Sequence, residues 1–596
     1  MTKCAGCVKR NAVAFWSQAV AIVLWMLTFE RLEYASLDYL FCGAAGLFCL
    51  RKNHGAISRK TAVFALIFSL STILSNYARF VPLRSLYSIA RMGIAALGGF
   101  LVCGHILSWV MDWQALPAGE SEKRPVRVFL LSMAGILAVY WVYLFSSAYP
   151  GFFDQDTKTA FVDIQRGVYG FRIPVYYTLF IEGCLRIGYL LGKTGNDALV
   201  VYTIVQTTAA AAWFAYMLVT LYERNVPSKW LLVLGVIYAF LPCYLGAAVS
   251  IWKDTPFSIA AAFMCIALYR IVMKVGNTVG DYCVYAISAV AFCLSRTNGW
   301  YSFLAVSLIV LAFASLRNWR LLGVSAVVLL STWILLNPVL DQIGSRGTDY
   351  LEILSTPLQQ IARVVWSDYD LQPEDVALLD EVLNLEMVAD KYLPGLVDPI
   401  KRECFRHENM AFFQEHFGEY AALWLRWAVR YPADFLKAWV DLTKGYWSIG
   451  WLYWNYHCPL SGDEFAPLGF ELIQFDNPLS QRFHFLFEKL EWSSWLRPFF
   501  SIGLQFWVIL GCMLIHWKNG RKNWAVGIPA LVILVGLWLC TPSVGLYRYA
   551  YVTAFIAPFV VCDVAAGSQS PSAEKANGKE SGRMCFVAGA QPDATR

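Results

Sequence analysis

Charge is scarce in this 596-residue chain. Only 15% of its residues are Asp, Glu, Lys or Arg, against about 25% in a soluble domain. Histidine is scarcer still, seven in all, and none stands at metal-ligand spacing or in an HExxH pattern. No Asn-x-Ser/Thr sequon occurs, which fits a bacterial protein. No small-residue cleavage pattern follows the first apolar run, so that run is expected to be a retained helix and not a signal peptide. With so little charge, a water-soluble chain would expose contiguous apolar patches and aggregate. A soluble enzyme, a disordered scaffold and a nucleic-acid binder are all excluded.

Apolar residues fill the space that charge leaves. They make up 58% of the chain, and the mean hydropathy is +0.49. This is the composition of a polytopic membrane protein, with the lipid bilayer as its first partner. The net charge of +6 is spread along the chain and is a topology signal, not a polyanion-binding surface. Most of the sixteen cysteines sit inside apolar runs, where they act as small hydrophobes. Cys4 and Cys7 form a lone CxxC with no second pair and no nearby histidine.

A spanning helix needs about 20 mainly apolar residues. Such runs lie near 12–29, 36–50, 61–77, 88–111 and 128–147. A second group covers 198–222, 229–250, 256–275, 281–295, 300–316 and 321–338. The last three are 499–517, 525–541 and 546–562. Lys and Arg cluster at 51–60, 123–127 and 518–522, and basic loops face the cytoplasm. The N-terminus is then cytoplasmic, and the segment after 147 is outside. Residues 173–192 contain Pro174, Glu182 and Arg186. Treating them as an outer-face re-entrant or interfacial hairpin keeps every downstream basic loop inside.

The expected organisation is therefore all-helical, with about 14 crossings and both termini cytoplasmic. N-terminal spans occupy 1–147, an external loop 148–197, more spans 198–338, an external domain 339–498, the last spans 499–565 and a disordered tail 566–596.

Chemistry-bearing residues collect at the outer ends of these spans. Pro150-Gly151 turns the chain, and Asp154 and Asp156 follow at the membrane edge ahead of an amphipathic stretch. Either aspartate could cap that helix. Either could also act as a general base, its pKa raised by partial desolvation. Trp252-Lys253-Asp254 follows another span. Lys253 and Asp254 could form a local ion pair, or Lys253 could face an anionic substrate group while Asp254 tunes it. Arg296, beside Asn298, and Arg363, following Gln360, fall on the side where arginine is uncommon in loops. Arg548, in Tyr547-Arg548-Tyr549, joins them. Arginine at a membrane boundary either snorkels or works, and its fork suits phosphate. A base together with several phosphate-binding cations at a membrane surface suits transfer chemistry on a lipid-linked phosphate.

Other chemistries find little support. Gly188 to Thr194 ends in Gly-Lys-Thr, but its first glycine is one residue too close for a phosphate loop. Two carboxylates are too few to argue for Mg²⁺ or Mn²⁺, so a divalent cation stays an open possibility. Trp447, Trp451, Tyr453 and Trp454 cluster in the external segment, where they either pack or stack on sugar rings.

At these motifs the chain resembles the GT-C superfamily of glycosyltransferases, and in particular a bacterial family of uncharacterised function, DUF6020. The resemblance rests on Pro150-Gly151 with Asp156-Thr157, Pro174 with Tyr177-Thr178, and Trp252-Lys253-Asp254. It extends to Arg296 with Asn298, the run Pro357 to Arg363 including Gln360, and Arg548-Tyr549. These motifs run from about 149 to 550.

The resemblance implies a GT-C-like transmembrane helix bundle with a mainly helical external domain. It also implies transfer of a sugar from a polyprenyl-phosphate donor to a glycan, lipid or protein of the cell envelope, outside the membrane. Asp156 matches the catalytic base, with Asp154 beside it. Lys253, Asp254, Arg296, Asn298, Gln360, Arg363, Tyr547 and Arg548 are the expected substrate-binding residues. The competing readings are a flippase or transporter of lipid-linked saccharides, which would carry its charges near the bilayer midplane, and an oligosaccharide ligase or polymerase.

Overall fold

The computed structural model describes residues 2–29, 35–52, 57–80, 85–111, 124–170, 173–276, 278–343, 350–451, 464–491, 496 and 500–566. Among the described residues the chain is all-helical, with isolated bridges but no strand. A membrane-embedded backbone must satisfy its hydrogen bonds within each segment, and the helix does so.

The first fourteen helices to be named are α1 (Thr2–Phe29), α2 (Ala35–Lys52), α3 (Ala62–Ser75), α4 (Leu86–Met111), α5 (Pro125–Tyr143), α6 (Gln155–Arg166) and α7 (Val175–Leu190). They continue with α8 (Gly195–Glu223), α9 (Ser228–Phe240), α10 (Pro242–Val249), α11 (Asp254–Met273), α12 (Thr278–Ser295), α13 (Gly299–Ala312) and α14 (Trp319–Ile334). Each apolar run expected as a span contains helix among the described residues. Among the described residues, seven stretches are long and apolar enough to cross a membrane unaided, and an eighth if α9 and α10 count as one. That pair is bent by 52°, because Pro242 opens α10 and cannot continue the hydrogen-bond ladder of α9. Val13–Phe29, Val279–Ser295, α13 and Ile502–Lys518 are shorter apolar helices. The protein is thus an all-α polytopic membrane protein.

The 173–192 stretch is not a hairpin in itself. It forms one continuous helix, α7, which turns back onto α8. Gly192 makes the turn at φ +73°, and a Cβ on Gly188 would stand 2.5 Å from the Ala198 Cα. The phosphate-loop look-alike is therefore a helix–turn–helix junction with no strand before it.

Between α14 and the last three spans lies a helical module with its own core. The helices Ser355–Trp366, Phe417–Arg430 and Pro432–Thr443 bury Leu358, Ile361, Leu423, Trp427 and Phe435 against one another. Trp447 is buried and stacks on Trp439, which is packing. Tyr453, Trp454 and the tail from 567 lie outside the described residues, as do the side chains of Cys4 and Cys7 on α1.

Two polar clusters mark opposite ends of the bundle. At the C-terminal ends of α8 and α11, Arg270 pairs with Glu223 and donates to Asp281 at 2.6 Å. Nearby elements close on Asp563, which accepts from Tyr269 at 2.6 Å and Asn523 at 2.7 Å and faces His516 at 3.1 Å. The other cluster lies at the start of α11 and at the start of the last span, Tyr547–Ala566. The 20 residues of α11 separate the two by about 30 Å, the thickness of a hydrocarbon core.

Candidate functional site

The second cluster is built on a backbone junction. After α5, Gly151 takes φ +143°, and a Cβ there would meet Ile251 and the Thr203 hydroxyl at 2.9 Å. Only glycine lets the chain pass this close. Phe152 then pairs with the segment after α10: its N–H donates to the Val249 carbonyl, and its carbonyl accepts from Ile251, both at 3.0 Å. Gln206 of α8 fastens that segment from behind, donating to the carbonyls of Ala248 at 2.9 Å and Ser250 at 2.8 Å. Thr157 adds a bond from its hydroxyl to the Ile251 carbonyl at 2.6 Å. The start of α6 and the start of α11 are thereby held face to face.

Three carboxylates and three cations meet across this junction. Arg548 pairs with Asp154 and lies 3.5 Å from both Asp156 and Asp254. Lys253 faces Asp156 at 3.3 Å, and Arg296 faces Asp254 at 2.7 Å. Aromatic rings hold the guanidinium planes. Arg296 lies between Phe257 and Tyr549, at 5.5 and 4.6 Å from their centroids, and Arg548 lies over Trp252 at 5.5 Å.

The two aspartates of the loop differ in what they have left to offer. Asp154 caps α6. One of its oxygens accepts from the Thr157 N–H at 2.9 Å and hydroxyl at 3.1 Å, and the other is taken by Arg548. This is a reciprocal capping box with Thr157. Asp156 is equally buried, but its Oδ2 accepts no hydrogen bond and is held only by charge. Burial and the charge of Asp156 push Asp154 above the usual carboxylate range, against the pull of Arg548. Burial would raise Asp156 too, but Lys253 and Arg548 overcome it and hold Asp156 below that range. Like charges sharing one cation separate in this way.

The chain's family follows from comparison with known proteins. A model of DUF6020, a family of unknown function, matches residues 172–578. The chain belongs to that family. No curated protein and no solved structure matches it. The DUF6020 match takes in Lys253, Asp254, Arg296 and Arg548 but begins after Asp154 and Asp156. It is therefore shorter at its N-terminal end than the motif run from 149 expected from the sequence.

In this DUF6020 protein the remaining sequence-expected residues divide by location. Asn298 stands at the N-cap position of α13, two residues after Arg296, and makes no capping bond. The Lys253–Asp254 neighbour pair does not form. Consecutive residues at a helix start point apart, and each meets a partner from another segment. Arg363 is not brought to the carboxylates of α6. It is buried in the helical module that follows α14, 3.3 Å from Asp434 and 2.9 Å from Asp441, and Tyr77 donates to Asp441 at 2.7 Å. Gln360 braces the same module, donating to the Phe435 carbonyl at 3.3 Å and accepting from Trp424 at 2.9 Å. The Tyr547 hydroxyl points into the bundle and accepts from Gln505 at 3.0 Å.

Thr203 and Gln206 were not foreseen. They are ordinary polar residues within an apolar helix, and only their contacts mark them. The capping role of Thr157 was legible as a threonine three residues after an aspartate. For a divalent cation the donor set fits poorly. The carboxylates of this site already face cations, and among the described residues no group of three or more His, Cys, Asp or Glu is arranged to hold a metal.

Proposed function

We propose that the protein is a GT-C-like membrane glycosyltransferase. It moves a sugar from a polyprenyl-phosphate donor to a glycan, lipid or protein acceptor of the cell envelope. One observation carries this reading: Asp156, with an oxygen free of hydrogen bonds, faces Lys253 beside Arg296 and Arg548 at one end of the helix bundle.

In this mechanism Asp156 takes the proton of an acceptor hydroxyl as its oxygen attacks the anomeric carbon. The bond from that carbon to the donor phosphate breaks, and its electron pair stays on the phosphate oxygen. Lys253 and Arg296 receive the phosphate charge. Each has a single carboxylate partner and a side chain 15% exposed, so each has donors to spare. Arg548 is committed to three carboxylates and acts as the keystone that holds them together. A base held this low is weak, and phosphate on Lys253 offsets the charge that depresses it. Donor binding thus strengthens the base.

The basic residues Arg224, Lys229 and Lys274 follow the C-terminal ends of α8 and α11, and Lys518, Arg521 and Lys522 lie at the junction of the helix Ile502–Lys518 and the span Asn523–Cys540, away from the cluster. Under the positive-inside bias that end is cytoplasmic and the cluster extracytoplasmic. Charges at helix starts also favour transfer over transport, which would use the midplane. The test compares cell-envelope glycans, and in vitro transfer from a polyprenyl-phosphate sugar, for the wild-type chain and Asp156→Asn. Unchanged glycans and unchanged transfer would overturn the reading.

A further inference from the structure

The external module carries an apolar face that its own core does not use. In the helix Phe417–Arg430, Tyr420, Leu423 and Trp427 point inward and are buried. The opposite face is apolar as well. Leu425 is 58% exposed and Val429 is 84% exposed, with Ala422 exposed beside them. Their spacing of three to four residues puts them in one stripe. The next helix, Pro432–Thr443, repeats the pattern: Phe435 and Ala438 are buried, while Leu436 is 48% exposed. Single exposed hydrophobes are ordinary, but a continuous row across two helices is not.

What covers this row follows from where it leads. One turn after Leu436, Trp439 donates to the Trp538 carbonyl at 2.8 Å, at the end of the span Asn523–Cys540. That span exposes Val535 and Leu539 one turn apart, as a lipid-facing side does. The apolar row of the module thus continues the outward face of a membrane span. Arg426, which donates to Asp375 at 2.6 Å but keeps a side chain 58% exposed, and the exposed Arg430 lie along its edge. An apolar stripe edged by arginines is the pattern of a helix lying in a bilayer interface, and tryptophan is enriched at that level.

We infer that the elbow formed by Phe417–Arg430 and Pro432–Thr443 rests in the leaflet on the module's side of the membrane. Leu425, Val429 and Leu436 sit among acyl chains, and Arg426 and Arg430 sit at the level of the lipid phosphates. The module is then seated on the bilayer and not held above it.

The test uses the full chain in nanodiscs of phosphatidylcholine and phosphatidylglycerol carrying an acyl-chain diazirine. After photolysis, lipid adducts are mapped by mass spectrometry. Adducts are expected on peptides from 417–436 as well as on the span Asn523–Cys540. The double variant Leu425→Asp/Val429→Asp, altered only at exposed positions, should lose the first set and keep the second. Adducts on the span with none on 417–436 would overturn the inference. So would protein–protein cross-links that place a second copy on this face.

Discussion

Lys253 pairs with Asp156 at 3.3 Å, across the junction between the starts of α6 and α11, and not with Asp254 at its side. This pairing sets the chemistry of the cluster. It keeps Asp156 ionised, holds a lysine beside it, and frees Asp254 to face Arg296 and Arg548.

Replacing Asp156 by Asn removes the proposed base but keeps its size. Transfer is expected to fall by about 10²–10⁴, with membrane abundance unchanged on immunoblots. A variant that transfers at the wild-type rate removes Asp156 from the mechanism.

Asp154 governs the acid side of the pH profile. Its carboxyl titrates above the ordinary range, so it takes up its proton as pH falls toward that range, while Asp156 stays charged. Arg548 then loses its closest partner, and activity declines at a pH above the ordinary carboxylate value of about 3.9. Asp154→Asn retains the helix cap but has nothing left to titrate. Because Asn is neutral like the protonated carboxyl, its rate is expected to be low at every pH and to lack the wild-type fall above the ordinary carboxylate range, read from the rate of transfer against pH; a wild-type profile would remove Asp154 from this role.

Gly151→Ala tests the junction itself. The backbone stands at φ +143°, and the new Cβ would meet Ile251 and Thr203 at 2.9 Å. Strain of this kind costs about 1–3 kcal/mol. A lower melting temperature in detergent is expected, together with reduced transfer. An unchanged melt would mean that the junction yields freely.

Arg296 and Arg363 should separate function from stability. Arg296→Lys keeps a charge for Asp254 but loses the planar fork between Phe257 and Tyr549. The KM for donor is expected to rise by about tenfold, equal to about 1.4 kcal/mol. Arg363→Ala leaves Asp434 and Asp441 buried beside a lost cation, a change that costs about 3–5 kcal/mol. Its expected signature is a fall in thermal stability and in the amount of folded protein, with any surviving molecules keeping the wild-type KM for donor.

Much of this was legible in the sequence, and the boundary has a physical cause. A run of about 20 apolar residues forms its helix wherever it sits, because lipid offers the backbone no other partner. The apolar helices and the all-helical class could therefore be read directly, and Asp154, Asp156, Lys253, Arg296 and Arg548 could be named as candidates. Which of these residues meet is a different kind of fact. Arg363 and Arg548 look alike as arginines beside apolar runs, yet one is buried between Asp434 and Asp441 of the helical module and the other joins three carboxylates at the starts of α6 and α11. Gln206 and Gly151 gain their importance only from segments that pack against them. Helix formation depends on neighbours in the chain, whereas ion pairing depends on side chains brought within a few ångströms by folding. The sequence by itself determined the first, and only the tertiary structure decided the second.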